Sequence, residues 1–341
     1  MLKVGLVGLG FMGRAHLKNY VRLQEEGFPI QVTAICDTDS RKFQGYFTEG
    51  NMQVASTEFD FSGYAQYTDY SRMLQEEELD FVDIALPTFL HKSTAIAALR
   101  RGLHVMCEKP MALNTQEGRE MIEAAEQAGK KLMIAQCLRF WPEYEYLKET
   151  VESGRYGKVL AASFFRGGNP PKWTHEDWMV LEDKSGGGMM DLHIHDIDMV
   201  NWLFGKPESV TTLARHVLPG SAYDIISTNY KYPDHKVVNC QVDRVLHGDF
   251  GFEMSFRVNF EGGNLVFEKR GLKDYPKDGK GFSPELSADT GYYREIRYFA
   301  EAVMNDTPIE KSAPEDTWVS LQIAEAEKLS AESDGASVSV A

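Results

Sequence analysis

The sequence predicts an α/β chain in two parts: a parallel sheet wrapped by helices, then an α/β region built on a mostly antiparallel sheet. Three observations predict it. Short apolar runs alternate with amphipathic segments over the first 137 residues. Long β-rich runs follow Trp141-Pro142 with few helices between them. And 341 residues exceed one typical core but suit two. The expected division is 1–137 and 138–341, with the last helix free to pack back on the first part.

The elements of the first part follow in order. Leu2 to Val7 reads as a strand and Met12 to about Glu25 as a helix, with Ala15, Tyr20 and Leu23 among its less polar positions. Gln31 to Cys36 is a second strand and Asp39 to about Phe47 a second helix. A short strand near Gln66 is expected. Phe81 to Leu86 is a strand stopped by Pro87, and Lys92 to Arg101 a helix ended by Gly102. His104 to Cys107 is a strand, Thr115 to Ala128 a Thr-capped helix closed by Gly129, and Lys131 to Gln136 a further strand. Strands and helices alternating at this spacing indicate βαβ units on a parallel sheet.

A helix over about Glu143 to Ser153 opens the second part. Strands are expected at Val159 to Arg166, Ser209 to Val217, Ile225 to Tyr232, Val237 to Val245, Phe252 to Phe260 and Asn264 to Glu268. Met254, Phe256, Val258 and Phe260 alternate with polar neighbours, so one face is buried. Gly262-Gly263 reads as a hairpin turn. Strands joined without helices form a mostly antiparallel sheet. A final helix, Pro314 to about Ser333, starts on Pro-Glu-Asp.

Composition removes several classes of function. The formal net charge is −15, which opposes non-specific binding to nucleic acid or an anionic membrane. The nearest basic cluster, Lys269-Arg270 with Lys273, Lys277 and Lys280, is broken by acids and glycines and reads as a solvated loop. Met1-Leu2-Lys3-Val4-Gly5 leads straight into a strand and has no signal-peptide pattern. No stretch approaches the ~18 apolar residues of a membrane helix. Cys36, Cys107, Cys137 and Cys240 form no CxxC pair and read as buried thiols in a reducing cytoplasm.

Gly8-Leu9-Gly10-Phe11-Met12-Gly13 matches GxGxxG. Gly8 serves the tight turn, Gly10 lets backbone approach a pyrophosphate, and Gly13 permits close packing of helix on strand. Free N–H groups and the helix dipole then favour phosphate at this end. The motif follows a strand and opens a helix, and Asp37 ends the next strand, which is the context it requires. The bland alternative is a plain glycine turn. Asp37 would accept hydrogen bonds from the adenosine ribose and repel a 2′-phosphate, so NAD is expected over NADP. Asp39 adds to the repulsion; Arg41 opposes it.

Glu108-Lys109-Pro110 directly follows a strand, where ligands of open parallel sheets bind. Lys109 is thus placed at the reacting end of a nicotinamide; its bland alternative is a surface charge. Further on, Gly186-Gly187-Gly188 precede Asp191-Leu192-His193-Ile194-His195. If this stretch is helical, Asp191 and His195 share one face. Asp191 could instead merely cap the helix, and His193 reads as structural. A metal site from His193, His195 and Asp198 is the rival; no other ligand cluster supports it, and none is expected.

These motifs, with Leu86-Pro87-Thr88 and His91, Gly102 to Pro110, Arg139-Phe140-Trp141-Pro142-Glu143-Tyr144 and Asp196 to Asp198, resemble the glucose–fructose oxidoreductase, inositol dehydrogenase and rhizopine-catabolism (Gfo/Idh/MocA) family over essentially the whole chain. The resemblance implies a Rossmann domain followed by an α/β domain on an open sheet. It also implies a catalytic set of Lys109, Asp191 and His195. The chemistry suits those types. Oxidising a secondary alcohol requires hydride loss from carbon and proton loss from oxygen, and an imidazole, titrating ordinarily near pH ~6.5, accepts a proton at neutral pH.

The cofactor contacts expected are Gly8, Gly10, Phe11, Met12, Gly13, Asp37, Pro87, Thr88, His91, Glu108 and Lys109. Substrate contacts expected are Lys109, Arg139, Trp173, Asp191 and His195. His91 alternatively only starts a helix, and Arg139 alternatively binds a backbone carbonyl. Trp173 and Trp178, in a loop rich in glycine and proline, suit the apolar face of a sugar or cyclitol, or equally a core or subunit contact. Two functions remain: an NAD-dependent dehydrogenase of a polyol, sugar or inositol, and a dinucleotide-binding sensor of the same fold. An uncovered apolar sheet face from Met254 to Phe260 predicts a homodimer or homotetramer.

Overall fold

The computed structural model describes residues 1–46, 59–171 and 178–341. They divide into two compact units. The first holds Met1–Cys137 and Gly291–Trp318; the second holds the described residues from Leu138 to Thr290 together with Val319–Ala341.

In the first unit the strands are β1 (Leu2–Val7), β2 (Ile30–Cys36), β3 (Ala65–Tyr67), β4 (Phe81–Ile84), β5 (His104–Glu108) and β6 (Leu132–Ala135). They lie in the order β3-β2-β1-β4-β5-β6, every pair parallel. Consecutive buried residues in β4 and β6 fit a sheet covered on both faces. The order reverses between β1 and β4, the topological switch point where such sheets bind ligands. The helices are α1 (Phe11–Glu25), α2 (Tyr70–Glu76), α3 (His91–Arg100) and α4 (Thr115–Ala128).

Two local expectations are corrected, and one element is new. The helix expected from Asp39 is, within the described residues, a 3-10 turn over Ser40–Gln44, capped by Asp39 and stopped by left-handed Gly45. Asn114, not Thr115, caps α4, its side chain accepting from the Glu117 N–H at 2.9 Å. Asp69 likewise caps α2, a helix the sequence did not announce.

The second unit carries α5 (Pro142–Ser153), β7 (Val159–Gly168), the short α6 (Glu182–Ser185), α7 (Ile194–Phe204), β8 (Ser209–Arg215), β9 (Ile225–Lys231), β10 (Val237–Asp243), β11 (Phe252–Phe260), β12 (Gly263–Glu268) and β13 (Gly271–Pro276). Then come α8 (Gly291–Met304), α9 (Pro314–Glu332) and β14 (Val338–Ser339). The sheet order is β13-β12-β11-β7-β10-β9-β8-β14, antiparallel except at β7–β10. β11 and β12 form the hairpin expected at Gly262-Gly263.

α8 belongs with the first unit, and α9 runs from one to the other. Phe299 of α8 meets Phe81 of β4 edge-on at 5.2 Å, and the Ser312 hydroxyl donates to the Ile134 carbonyl at 2.7 Å. A simple cut into 1–137 and 138–341 therefore misses 291–318. α8 is rich in tyrosine and phenylalanine, which strands favour, and its helical burial at Tyr293, Ile296, Phe299 and Ala300 includes a buried charge type, Glu295.

The alternating residues of β11 point the opposite way from the subunit argument. Phe256 packs against Tyr144, Phe164 and Phe267 at ring distances of 5.1, 6.2 and 5.4 Å, inside the unit's own core. Val258 and Phe260 are buried with it. The other face carries Arg257, Ser163, Asn239 and Asn229 in one row across β11, β7, β10 and β9. It is mixed and polar, so an uncovered apolar face gives no ground for a dimer.

Candidate active site

The dinucleotide turn sits at the switch point. The Gly8 N–H donates to the Cys36 carbonyl and the Ala85 N–H to the Val7 carbonyl, each at 2.8 Å. Gly8 has φ +99°, and a Cβ there would lie 2.3 Å from the Ala85 oxygen. A Cβ on Gly13 would fall 1.8 Å from the Gly8 oxygen, so α1 packs onto the turn only without one. A Cβ on Gly10 would meet nothing within 4 Å. Gly10 also precedes α1 with no side-chain cap. Open space beside uncapped helical N–H groups fits a dinucleotide pyrophosphate. Phe11 and Met12 are half-buried beside it.

Asp37 is buried and highly connected. Its Oδ2 accepts from the Leu9 N–H at 2.8 Å and from Lys42 Nζ at 2.7 Å, and its Oδ1 from the Asp39 N–H at 3.0 Å. Arg41 instead grips Asp39 through two bonds of 2.8 Å, holding that carboxyl down to about 2. The cation nearest the expected ribose carboxylate is thus Lys42 rather than Arg41.

At the tip of β5 the Lys109–Pro110 peptide is cis and Lys109 is half-buried. Two residues expected at the cofactor turn their side chains into the protein. The Glu108 carboxylate turns into the protein: Oε1 lies 3.0 Å from His16 Nε2, and Oε2 accepts the Lys109 N–H at 3.0 Å. His91 is 1% exposed, with Nδ1 and Nε2 each 2.8 Å from a backbone oxygen, of Pro110 and Leu86 respectively. Its ring braces two loops and presents no nitrogen to a ligand. Burial holds its pKa below the ordinary histidine value. Thr88 is buried, and Pro87 precedes the 3-10 turn Thr88–Leu90.

In the second unit the glycines close α6 and pass beneath the β8–β9 loop. The Gly188 N–H donates to the Tyr223 carbonyl at 2.9 Å, and a Cβ on Gly188 would lie 2.4 Å from that oxygen. The chain then makes a π turn, Met189–His193, before α7. Such widened turns are frequent at functional sites. Met189 roots this one in a cluster with Tyr223, Ile226 and Val242. Asp191 is not the cap, which is Gly188.

Five titratable side chains follow within eight residues, and their fates differ. His193 is buried, with Nε2 2.8 Å from Glu327 Oε2; Glu327 also accepts from Thr228 and Tyr230 at 2.9 and 2.6 Å. Asp196 pairs with Arg166 at 3.0 and 3.1 Å. Asp198 pairs with Arg139 at 2.8 and 2.7 Å. Asp191 and His195 alone of the five remain half-exposed. His193 and Asp198 are thereby committed away from any metal, and no His/Cys/Asp/Glu cluster among the described residues is arranged to hold one.

Arg139, expected as a substrate contact, points into the unit. It and Asp198 are both 0% exposed, so the guanidinium faces a carboxylate inside the unit. Trp173 lies outside the described residues. His16, Asp83 and Glu327 were missed by sequence reasoning. A carboxylate inside the apolar strand Phe81–Ile84, and a histidine on the buried side of α1, were the available signals.

Residues 2–136 match the family model described as oxidoreductase family, NAD-binding Rossmann fold, and residues 144–266 match the Gfo/Idh/MocA C-terminal domain. A 2,7-anhydro-N-acetylneuraminate hydratase of Mediterraneibacter gnavus is 30% identical over 71% of this chain and 61% of its own length. A levoglucosan dehydrogenase of Pseudarthrobacter phenanthrenivorans is 30% identical over 64% of this chain and 55% of its own. The chain thus matches under two thirds of these relatives' lengths. Among solved structures, a levoglucosan dehydrogenase in complex with NADH and levoglucosan superposes with a TM-score of 0.84 at 22% identity, covering 99% of both chains. An oxidoreductase from Thermotoga maritima gives 0.82 at 23%, covering 99% of this chain and 98% of its own. At these identities the structures speak for the fold.

Proposed function

The chain belongs to the Gfo/Idh/MocA oxidoreductase family, and from that premise we propose that it is an NAD-dependent dehydrogenase of a polyol, sugar or inositol, acting on a secondary hydroxyl or the matching ketone. One observation carries the reading. Of five titratable side chains in the segment after the glycines, three are locked into buried pairs and two, Asp191 and His195, stay half-exposed. Half-exposure leaves these two within reach of a ligand, whereas the other three are buried.

The residues take these roles. Gly8 to Gly13 and the N-terminus of α1 hold the pyrophosphate, and Asp37 takes the adenosine ribose. NAD, when bound, supplies the hydride acceptor. His195 takes the hydroxyl proton as general base. Asp191 accepts a hydrogen bond from the substrate and favours the imidazolium. Lys109 steadies the alkoxide. The levoglucosan dehydrogenase among its relatives supports a cyclic polyhydroxylated substrate.

The test is an absorbance screen for NADH formation across levoglucosan, cyclitols, aldoses and alditols. NADH formed with one class supports the reading. NAD binding with no turnover in either direction overturns it in favour of a sensor. Cofactor choice is tested separately by calorimetric titration. Asp37 predicts tighter binding of NAD than of NADP. Tighter NADP binding would refute that, and Lys42, 2.7 Å from Asp37, would be the residue to replace.

A further inference from the structure

Buried titratable groups outside the expected catalytic set converge at one place in the first unit. His16, on α1 and three residues beyond Gly13, is 0% exposed. Its Nδ1 lies 2.9 Å from Asp83 Oδ2 of β4, and its Nε2 lies 3.0 Å from Glu108 Oε1 of β5. Tyr20, one helical turn on, donates its hydroxyl to the same Asp83 oxygen at 2.9 Å. The other Glu108 oxygen accepts the Lys109 N–H at 3.0 Å.

A histidine between two carboxylates makes both contacts well only with a proton on each nitrogen. Burial alone would push the imidazolium pKa down; the charges of Asp83 and Glu108 and the hydrogen bond to Asp83 overcome it and hold His16 well above the ordinary value. Glu108 is held below the usual carboxylate range by His16, against its own burial. Glu295 of α8 completes the surroundings. Burial and the Glu108 charge push its pKa well up.

These contacts join three elements that begin or end at the nucleotide side of the sheet. α1 starts at the dinucleotide turn, β4 ends at Ile84, three residues before Pro87, and β5 ends at Glu108, next to Lys109. We propose that Asp83, His16 and Glu108 form a buried positioning bridge that holds the Lys109 turn in register with the phosphate-binding end of α1. The bridge acts through Lys109 and rests on the reading of Lys109 as a catalytic residue. His91 secures the far side of the same turn through the Pro110 oxygen.

The experiment uses pyridoxal phosphate, whose phosphate suits the dinucleotide turn and whose aldehyde traps a nearby lysine, followed by borohydride reduction and site-resolved mass spectrometry. In the native protein Lys109 should label faster than Lys18, an exposed lysine on α1, and NAD should suppress it. In His16→Gln and Glu108→Gln the Lys109 rate should fall to that of Lys18. NADH affinity by fluorescence should change little, and turnover should fall on the order of a hundred-fold, the scale of a 1 Å misplacement. Glu108→Asp, which keeps the charge, should recover part of both.

If native Lys109 labels no faster than Lys18, the catalytic reading of Lys109 fails, and the bridge with it. If native Lys109 is fast and stays fast in both glutamine variants, the bridge alone is overturned. Should the variants not fold, amide exchange in the native protein decides. A slow Lys109 N–H supports the bridge; exchange as fast as that of surface loops overturns it.

Discussion

Replacing His195 by alanine should lower turnover by about 10²–10⁴-fold, the usual worth of a positioned general base, while leaving NAD affinity nearly unchanged. The two effects separate because the dinucleotide turn and Asp37 belong to the first unit, and His195 to the second. The pH profile carries the sharper information. In the oxidation direction the acidic limb of kcat/KM reports protonation of the free enzyme's base. With His195 present, activity should fall toward acid as the base becomes protonated. With alanine there, that limb should flatten. Asp191→Asn should cost both turnover and substrate affinity, since it removes a charged acceptor. His193→Ala is the control: its ring contacts Glu327 in the buried network, so it should lower stability more than rate. Full turnover with an unaltered profile in His195→Ala would transfer the role of base elsewhere. His91 could not take it without leaving both backbone oxygens that hold it.

How much of this was legible in the sequence depends on what each residue's signal encodes. The glycine fingerprint and most of the alternation of strands and helices in the first part are local signals, and the structure reproduces them apart from α2 and the 3-10 turn at Ser40–Gln44. The turn at Gly262-Gly263 and the antiparallel pairing after it follow from period and spacing alone. Polar residues at the site were harder. The sequence shows that Glu108, His91 and Arg139 flank strand ends; it does not show which way their side chains point. All three turn inward, and each partner is remote in sequence: His16 for Glu108, Pro110 for His91, Asp198 for Arg139. A buried ion pair looks, from either partner alone, like a candidate ligand contact. The converse error arose at β11, where the apolar alternation was right and the identity of the face was not. Period two fixes that one face is buried, but not which neighbour buries it.

Arg139 and Asp198 make the most severe stability prediction. Both side chains are 0% exposed, joined by bonds of 2.8 and 2.7 Å, and the Ser320 hydroxyl donates to Asp198 at 2.9 Å. Arg139→Met leaves the carboxylate buried without its guanidinium, a change worth about 3–5 kcal/mol. Against a total stability of about 5–15 kcal/mol, that brings a domain close to unfolding. Urea denaturation at neutral pH should show it as a large fall in midpoint. The loss is electrostatic rather than volumetric, so two further outcomes are expected. The double variant Arg139→Met with Asp198→Leu should recover much of the deficit, because no unpaired charge is then left at that place. The single variant should also regain stability in acid. A carboxylate buried without its arginine is costly only while charged, so protonation in acid removes much of that cost. If the deficit of Arg139→Met were the same in acid as at neutral pH, and the double variant no better than the single, the pair would be holding α7 by packing rather than by charge.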